Sequence, residues 1–106
     1  MIGQMYQTIT NMWDRRVLVG SREIHILEDV PEYEGLADSH HETYRLLWAL
    51  SFLGGSFDHN PYSIGTRDFM KLLGLGTNPV PLQSRFEGLE KLGKIRIDRI
   101  KMAIAA

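Results

Sequence analysis

Two runs near the start of the chain, Arg16-Val17-Leu18-Val19 and Glu23-Ile24-His25-Ile26-Leu27, are rich in β-branched residues and flank the break Gly20-Ser21. That pattern predicts a β-hairpin. Ahead of it, Met5, Ile9, Met12 and Trp13 recur at helical spacing beside Tyr6, which predicts a short amphipathic helix near residues 4–14. The acidic stretch from Asp29 to Gly35 carries Pro31 and suits a connection. Ser39 and Glu42 then form the S-x-x-E pattern of a capping box, in which each side chain satisfies a backbone amide of the first turn. A helix is expected from there to about Leu53, with Gly54-Gly55 as its stop. Its apolar residues Tyr44, Leu46, Leu47, Trp48, Leu50, Phe52 and Leu53 cover nearly every face, which predicts a central, buried helix.

After an expected turn at Asp58-His59-Asn60-Pro61, Tyr62-Ser63-Ile64 reads as a short strand. A short helix follows over 66–73, carrying Phe69, Met70, Leu72 and Leu73 and stopped by Gly74. Gly76-Thr77-Asn78-Pro79 reads as a loop, with Asn78 near the next cap and proline at the next start. Leu82, Phe86 and Leu89 recur at i, i+4 and i+7 in a helix over about 80–92, which Gly93 ends. In the last segment Ile95 and Ile97 fall on odd positions, whereas Ile100, Met102 and Ile104 fall on even ones. A two-residue turn at Asp98-Arg99 accounts for that switch by setting Ile97 opposite Ile100, so the segment 94–104 is expected to be a hairpin. A bulge or a crossing strand is the other way to change parity.

Helix, strand, helix, loop, helix, strand pair is the order of a winged helix-turn-helix. The piece from Leu82 to Ile97 resembles the recognition helix of winged-helix proteins, which ends in an L-x-x-L-G-x-I run directly before the first wing strand. Here that run is Leu89-Glu90-Lys91-Leu92-Gly93-Lys94-Ile95. The preceding hairpin resembles, more weakly, the N-terminal winged-helix half of plasmid replication initiators. The expected fold is therefore α+β: a winged helix over 39–106 with an N-terminal helix and β-hairpin extension over 1–38 packed on it as one compact unit. The resemblance implies binding of double-stranded DNA, as a transcription regulator or a replication module, or dimerisation.

Composition narrows the function further. With 106 residues and 43% hydrophobic content the chain can bury one core without covalent staples. It has no cysteine, which removes disulfides and thiolate metal sites. The longest apolar run, from Leu46 to Leu53, is too short to span a membrane, which needs roughly 20 residues. The first residues lack the basic and apolar regions of a signal peptide, so no membrane association and a cytoplasmic location are expected. The net charge is −1, but it is unevenly spread. Residues 1–40 hold three basic side chains against seven acidic ones, and residues 81–106 hold six against three. The basic end suits phosphates. It equally suits the acidic end of the same chain or of a second copy, so a homodimer is an open expectation.

The candidate DNA-binding residues follow from this frame. On the 80–92 helix, Val80, Ser84, Glu87 and Lys91 lie opposite the apolar stripe, with Gln83 and Gly88 at the borders and Arg85 on a flank. Gln83, Ser84, Arg85 and Lys91 are residue types that read base edges or phosphates, and Asn78 precedes them. Glu87 is the misfit, because phosphates repel a carboxylate unless it accepts from a cytosine amine. Arg67 and Lys71, at i and i+4, are expected to clamp phosphate, as are Lys94, Arg96, Arg99 and Lys101 on the hairpin. The alternative is a protein-interaction module on the same fold, with Glu87 and Glu90 facing a protein partner. No enzyme activity, cofactor or metal is expected. His40 and His41 point about 100° apart on a helix, His25 and His59 stand alone in the sequence, and no nucleophile–base order, glycine-rich phosphate loop or zinc spacing occurs.

Overall fold

The computed structural model describes residues 15–54 and 61–99. The expected N-terminal helix, the Asp58-His59-Asn60 turn and everything from Ile100 onward, Lys101 included, lie outside the described residues.

The chain forms β1 (Arg15–Val19), β2 (Arg22–Ile26), α1 (Asp38–Ser51), β3 (Tyr62–Ile64), α2 (Thr66–Leu72), α3 (Val80–Lys91) and β4 (Ile95–Arg99). This is an α+β domain with one four-stranded mixed sheet in the order β3-β1-β2-β4. β1 and β2 are antiparallel across the Gly20-Ser21 turn, β3 runs parallel to β1, and β4 runs antiparallel to β2. The N-terminal hairpin thus supplies both inner strands, and β3 and β4 lie at opposite edges.

Alternation along these strands makes one face apolar. Val17, Val19, Ile24, Ile26 and Ile95 are buried there, with Ile97 packed alongside. α1 and α3 cover that face and contribute Tyr44, Leu47, Trp48, Leu50, Leu82, Phe86 and Leu89, and α2 adds Phe69 and Met70. Phe69 and Phe86 meet at 5.6 Å between ring centroids, which ties α2 to α3. The expected core residues Leu47, Leu50, Phe69, Leu82, Phe86, Leu89 and Ile95 are all buried, and Leu73 and Ile97 are partly so.

Three local expectations are corrected. The capping box does not form: α1 starts at Asp38, its N-cap is Ala37, and no side chain caps it. Ser39 instead offers its carbonyl to the Thr43 hydroxyl at 2.8 Å, and Glu42 turns to Arg85 at 3.5 Å. Nor is α1 buried all round. Phe52 and Leu53, just past its end, are 63% and 62% exposed, because the sheet lies on one side only. Most consequential, there is no turn at Asp98-Arg99. β4 continues straight through both, with Asp98 opposite Glu23 and Arg99 opposite Arg22. Strand β2 gives residues 95–99 a continuous partner, so no parity change occurs among them.

The α3–β4 junction explains how β4 is aimed. Gly93 takes φ of +75°, a left-handed conformation that costs a glycine little. Its amide donates to Glu90 at 3.0 Å, and the Lys94 amide donates to Leu89 at 3.1 Å. This closes α3 in a Schellman motif and turns the chain directly into the sheet. Where α1 and α3 cross, Gly88 sits against the His40 imidazole so closely that a methyl group would overlap it.

Two stability outcomes follow. Replacing Phe86, 1% exposed, by alanine is expected to cost about 3–5 kcal/mol in chemical denaturation. A loss under about 1 kcal/mol would contradict its central position. Gly88→Ala is expected to destabilise the native protein but to stabilise a His40→Ala background, where only the better helix propensity of about 1 kcal/mol remains. The four denaturation curves of that cycle check it, and equal effects in both backgrounds would contradict the crossing.

Candidate nucleic-acid interface

The outward side of α3 and α2 carries five of the eleven expected site residues, Arg67, Lys71, Gln83, Ser84 and Lys91. Gln83, Ser84, Glu87 and Lys91 are exposed on α3, and Arg67 and Lys71 are exposed one turn apart on α2. Gln83 Nε2 reaches Glu87 Oε2 at 3.5 Å, so the misfit carboxylate and the amide sit side by side. Arg67, Lys71, Lys91 and Arg99 make no ion pair among the described residues.

The structure withdraws three other candidates into its own interactions. Arg85 is half-buried and donates to the Thr43 hydroxyl at 3.3 Å besides pairing with Glu42. Asn78, which precedes the N-cap Pro79, makes a local turn in which its Oδ1 accepts from the Val80 amide at 3.1 Å. Lys94, whose side chain is only 13% exposed, is fully committed. Its ammonium lies 2.9 Å from Glu28 Oε2, donates to the Glu32 carbonyl at 2.9 Å and stands 5.7 Å from the centre of the Tyr44 ring. Alternation alone had put Lys94 with Arg96 on an exposed wing. The pairing of Leu27 N–H with the Lys94 carbonyl, at 3.0 Å, places it instead beside the chain leaving β2.

Lys94 belongs to a node that joins β2, α1 and the α3–β4 junction. The Tyr44 hydroxyl donates to Glu28 Oε1 at 2.5 Å, and the Glu32 amide donates to the same oxygen at 3.3 Å. Burial pushes the Glu28 carboxyl up, but the bonds from Tyr44, Lys94 and Glu32 outweigh it and hold Glu28 below its ordinary value. Burial, and then the bond to Glu28, pushes the Tyr44 hydroxyl well above its own.

Arg96 lies on the opposite face of the sheet, which is polar. There Arg16 pairs with Glu23 at 2.8 Å, and His25 Nε2 lies 3.1 Å from both Glu23 Oε1 and Asp98 Oδ2. Arg96 pairs with Asp98 at 3.3 Å. Glu23, His25 and Asp98 offer ligand atoms within 4.8 Å of one another, a grouping that the sequence hides because Asp98 comes from a distant strand. Each carboxylate already has an arginine, so the arrangement reads as an ion-paired network. Arg99 is one residue further along β4 and therefore on the helix-bearing face, not beside Arg96.

One cation was missed in the sequence. Arg22 stands directly opposite Arg99, and its guanidinium lies 5.8 Å from the centre of the Phe86 ring on α3. Only the β2–β4 register could reveal it, because Arg22 falls in the part of the chain where acids predominate.

The Glu28 node yields a pH outcome. A carboxyl whose folded pKa is depressed contributes stability above its unfolded pKa, and that stability is lost as pH falls through the folded value. The advantage of the native protein over Glu28→Gln is expected to be full above about pH 5 and to fade in more acidic solution. Urea denaturation of both proteins across that range checks it, and a constant difference would contradict the depressed Glu28.

No helix among the described residues is long and apolar enough to cross a membrane. No protein-family model, curated protein or solved structure matches this chain.

Proposed function

We propose that this chain is a DNA-binding module of the winged-helix kind, which sets α3 in the major groove of a duplex and holds flanking phosphates with α2 and the end of β4. The observation that carries this reading is a contrast in how basic side chains are used. Arg16, Arg85, Lys94 and Arg96 are paired with acids, whereas Arg45, Arg67, Lys71, Lys91 and Arg99 are exposed and make no ion pair among the described residues. Three of those five lie on the consecutive helices α2 and α3, where the exposed Gln83 and Ser84 offer donors and acceptors of the kind that read base edges. The element order α1, β3, α2, α3, β4 supports the same reading. Residues 94–99 do not form the hairpin expected from sequence, so phosphate contacts are assigned to Arg67, Lys71 and Arg99 and not to Lys94.

A protein partner is the second reading. It is favoured by Glu87 in mid-helix and by Leu72 on α2, Val80 on α3 and Leu92 just past the end of α3, which are 59%, 62% and 56% exposed. An apolar, acid-bearing surface suits a protein better than a phosphate backbone.

The two readings separate in a fluorescence-anisotropy titration with duplex DNA at several salt concentrations. Binding by phosphate contacts gives a log–log slope of about −0.9 per phosphate neutralised. The double change Arg67→Ala, Lys71→Ala is expected to flatten the slope by about 2 and to weaken binding to every sequence alike. Gln83→Ala is expected to alter preference among sequences and leave the slope nearly intact. Absence of duplex binding at low salt would remove the first reading and leave the second.

A further inference from the structure

Arg22 and Arg99 face each other across β2 and β4. The Leu27 amide donates to the Lys94 carbonyl, which fixes the parity of this ladder. Leu27–Lys94, His25–Arg96 and Glu23–Asp98 are the hydrogen-bonded pairs, and Ile26–Ile95, Ile24–Ile97 and Arg22–Arg99 the non-hydrogen-bonded ones. In the second kind the side chains approach most closely, with Cβ atoms about 4.5–5.5 Å apart. Like charges in that position repel. Among the described residues no ion pair relieves either arginine: Glu23 and Asp98, their nearest acidic neighbours in sequence, point to the other face and are bound to Arg16 and Arg96. The Phe86 ring further steers the Arg22 guanidinium toward α3.

This end of the sheet is also where α2 begins. Gly20, in the β1–β2 turn, donates its amide to the Ile64 carbonyl at 2.9 Å, and Thr66 opens α2 two residues later. Arg67 follows at once, so a third cation with no ion pair among the described residues lies at the same end, with Asp68 as the acid beside it in sequence.

We infer that Arg22 and Arg99 form a two-pronged clamp for a single phosphodiester of a DNA backbone, set beside α3 so that it fixes that helix's position along the duplex. Two guanidiniums, each offering a planar fork of donors, suit one phosphate, and a bound anion removes the repulsion that the free protein carries. The clamp deepens the duplex-binding reading, since the anion it takes is the backbone of that ligand.

The repulsion supplies a test that a purely structural pair would fail. Arg99→Glu sets an acid opposite Arg22, so it is expected to raise the melting temperature, by about 2–5 °C for a cross-strand pair in a domain of this size. The same change is expected to abolish anion binding. Inorganic phosphate, titrated at constant ionic strength with sodium chloride, is expected to raise the melting temperature of the native protein progressively. Arg99→Glu and Arg22→Gln are expected not to respond. A native protein indifferent to phosphate, or variants that respond as it does, would overturn the clamp even where duplex binding is observed. A native protein that responds to phosphate but ignores duplex DNA would leave an anion site and overturn its assignment to a DNA backbone. When duplex is bound, Arg22→Gln is expected to flatten the salt slope by about 1, and an unchanged slope would count against the clamp.

Discussion

The antiparallel pairing of β2 with β4 is the contact on which the rest of this domain depends. It joins the start of the described chain to its end, and it sets the neighbours of every residue on both strands at once. On one face it stacks Ile24 on Ile97 and Ile26 on Ile95, which completes the floor under α1 and α3. On the other it brings His25 between Glu23 and Asp98. At one end of the ladder Lys94 is delivered to Glu28, and at the other Arg99 is delivered to Arg22. A slip of one residue would invert both faces, so the apolar pattern holds the polar arrangement in register.

The same pairing divides the basic side chains into two populations. Lys94 and Arg85 are spent inside the domain, where Lys94 binds Glu28 and Arg85 binds Glu42 and the Thr43 hydroxyl. Arg16 and Arg96 neutralise carboxylates on the polar sheet face. On the helix-bearing side Arg67, Lys71, Lys91 and Arg99 make no ion pair among the described residues. The carboxylates of Glu23, Glu28, Glu42 and Asp98 are bound to cations, whereas Asp68, Glu87 and Glu90 are exposed on the same helices as Arg67, Lys71 and Lys91. Of these acids, Glu87 lies beside Gln83 on the outward face of α3.

The tight helix crossing and the Schellman turn serve this arrangement. Gly88 lets α3 approach the first turn of α1, and Gly93 lets α3 run straight into β4. Both fix the outward stripe of α3 relative to the sheet, and hence to Arg22 and Arg99. Recognition of a rigid ligand such as a duplex needs that fixed spacing, since a loosely held helix would have to be ordered on binding at a cost in entropy.

Local periodicity was enough to locate the elements. The break at Gly20-Ser21, the i, i+4, i+7 repeat of Leu82, Phe86 and Leu89, and the glycines after α2 and α3 act over a few residues, and the structure follows them closely. Where sequence reasoning failed, a partner far along the chain had decided the matter. Ser39 and Glu42 match a capping box, yet Glu42 is drawn to Arg85. Asp98-Arg99 sits at a parity break, yet β2 holds it extended. The alternation of Lys94 and Arg96 suggested equivalent phosphate ligands, yet Glu28 and Tyr44 claim one of them. The sequence by itself thus determined which segments are helix or strand and which side chains are apolar enough to form the core, because those are properties of neighbouring residues. Only the tertiary structure decided which charges are cancelled and which stay free, because a charge is neutralised by whatever the fold brings within a few ångströms of it.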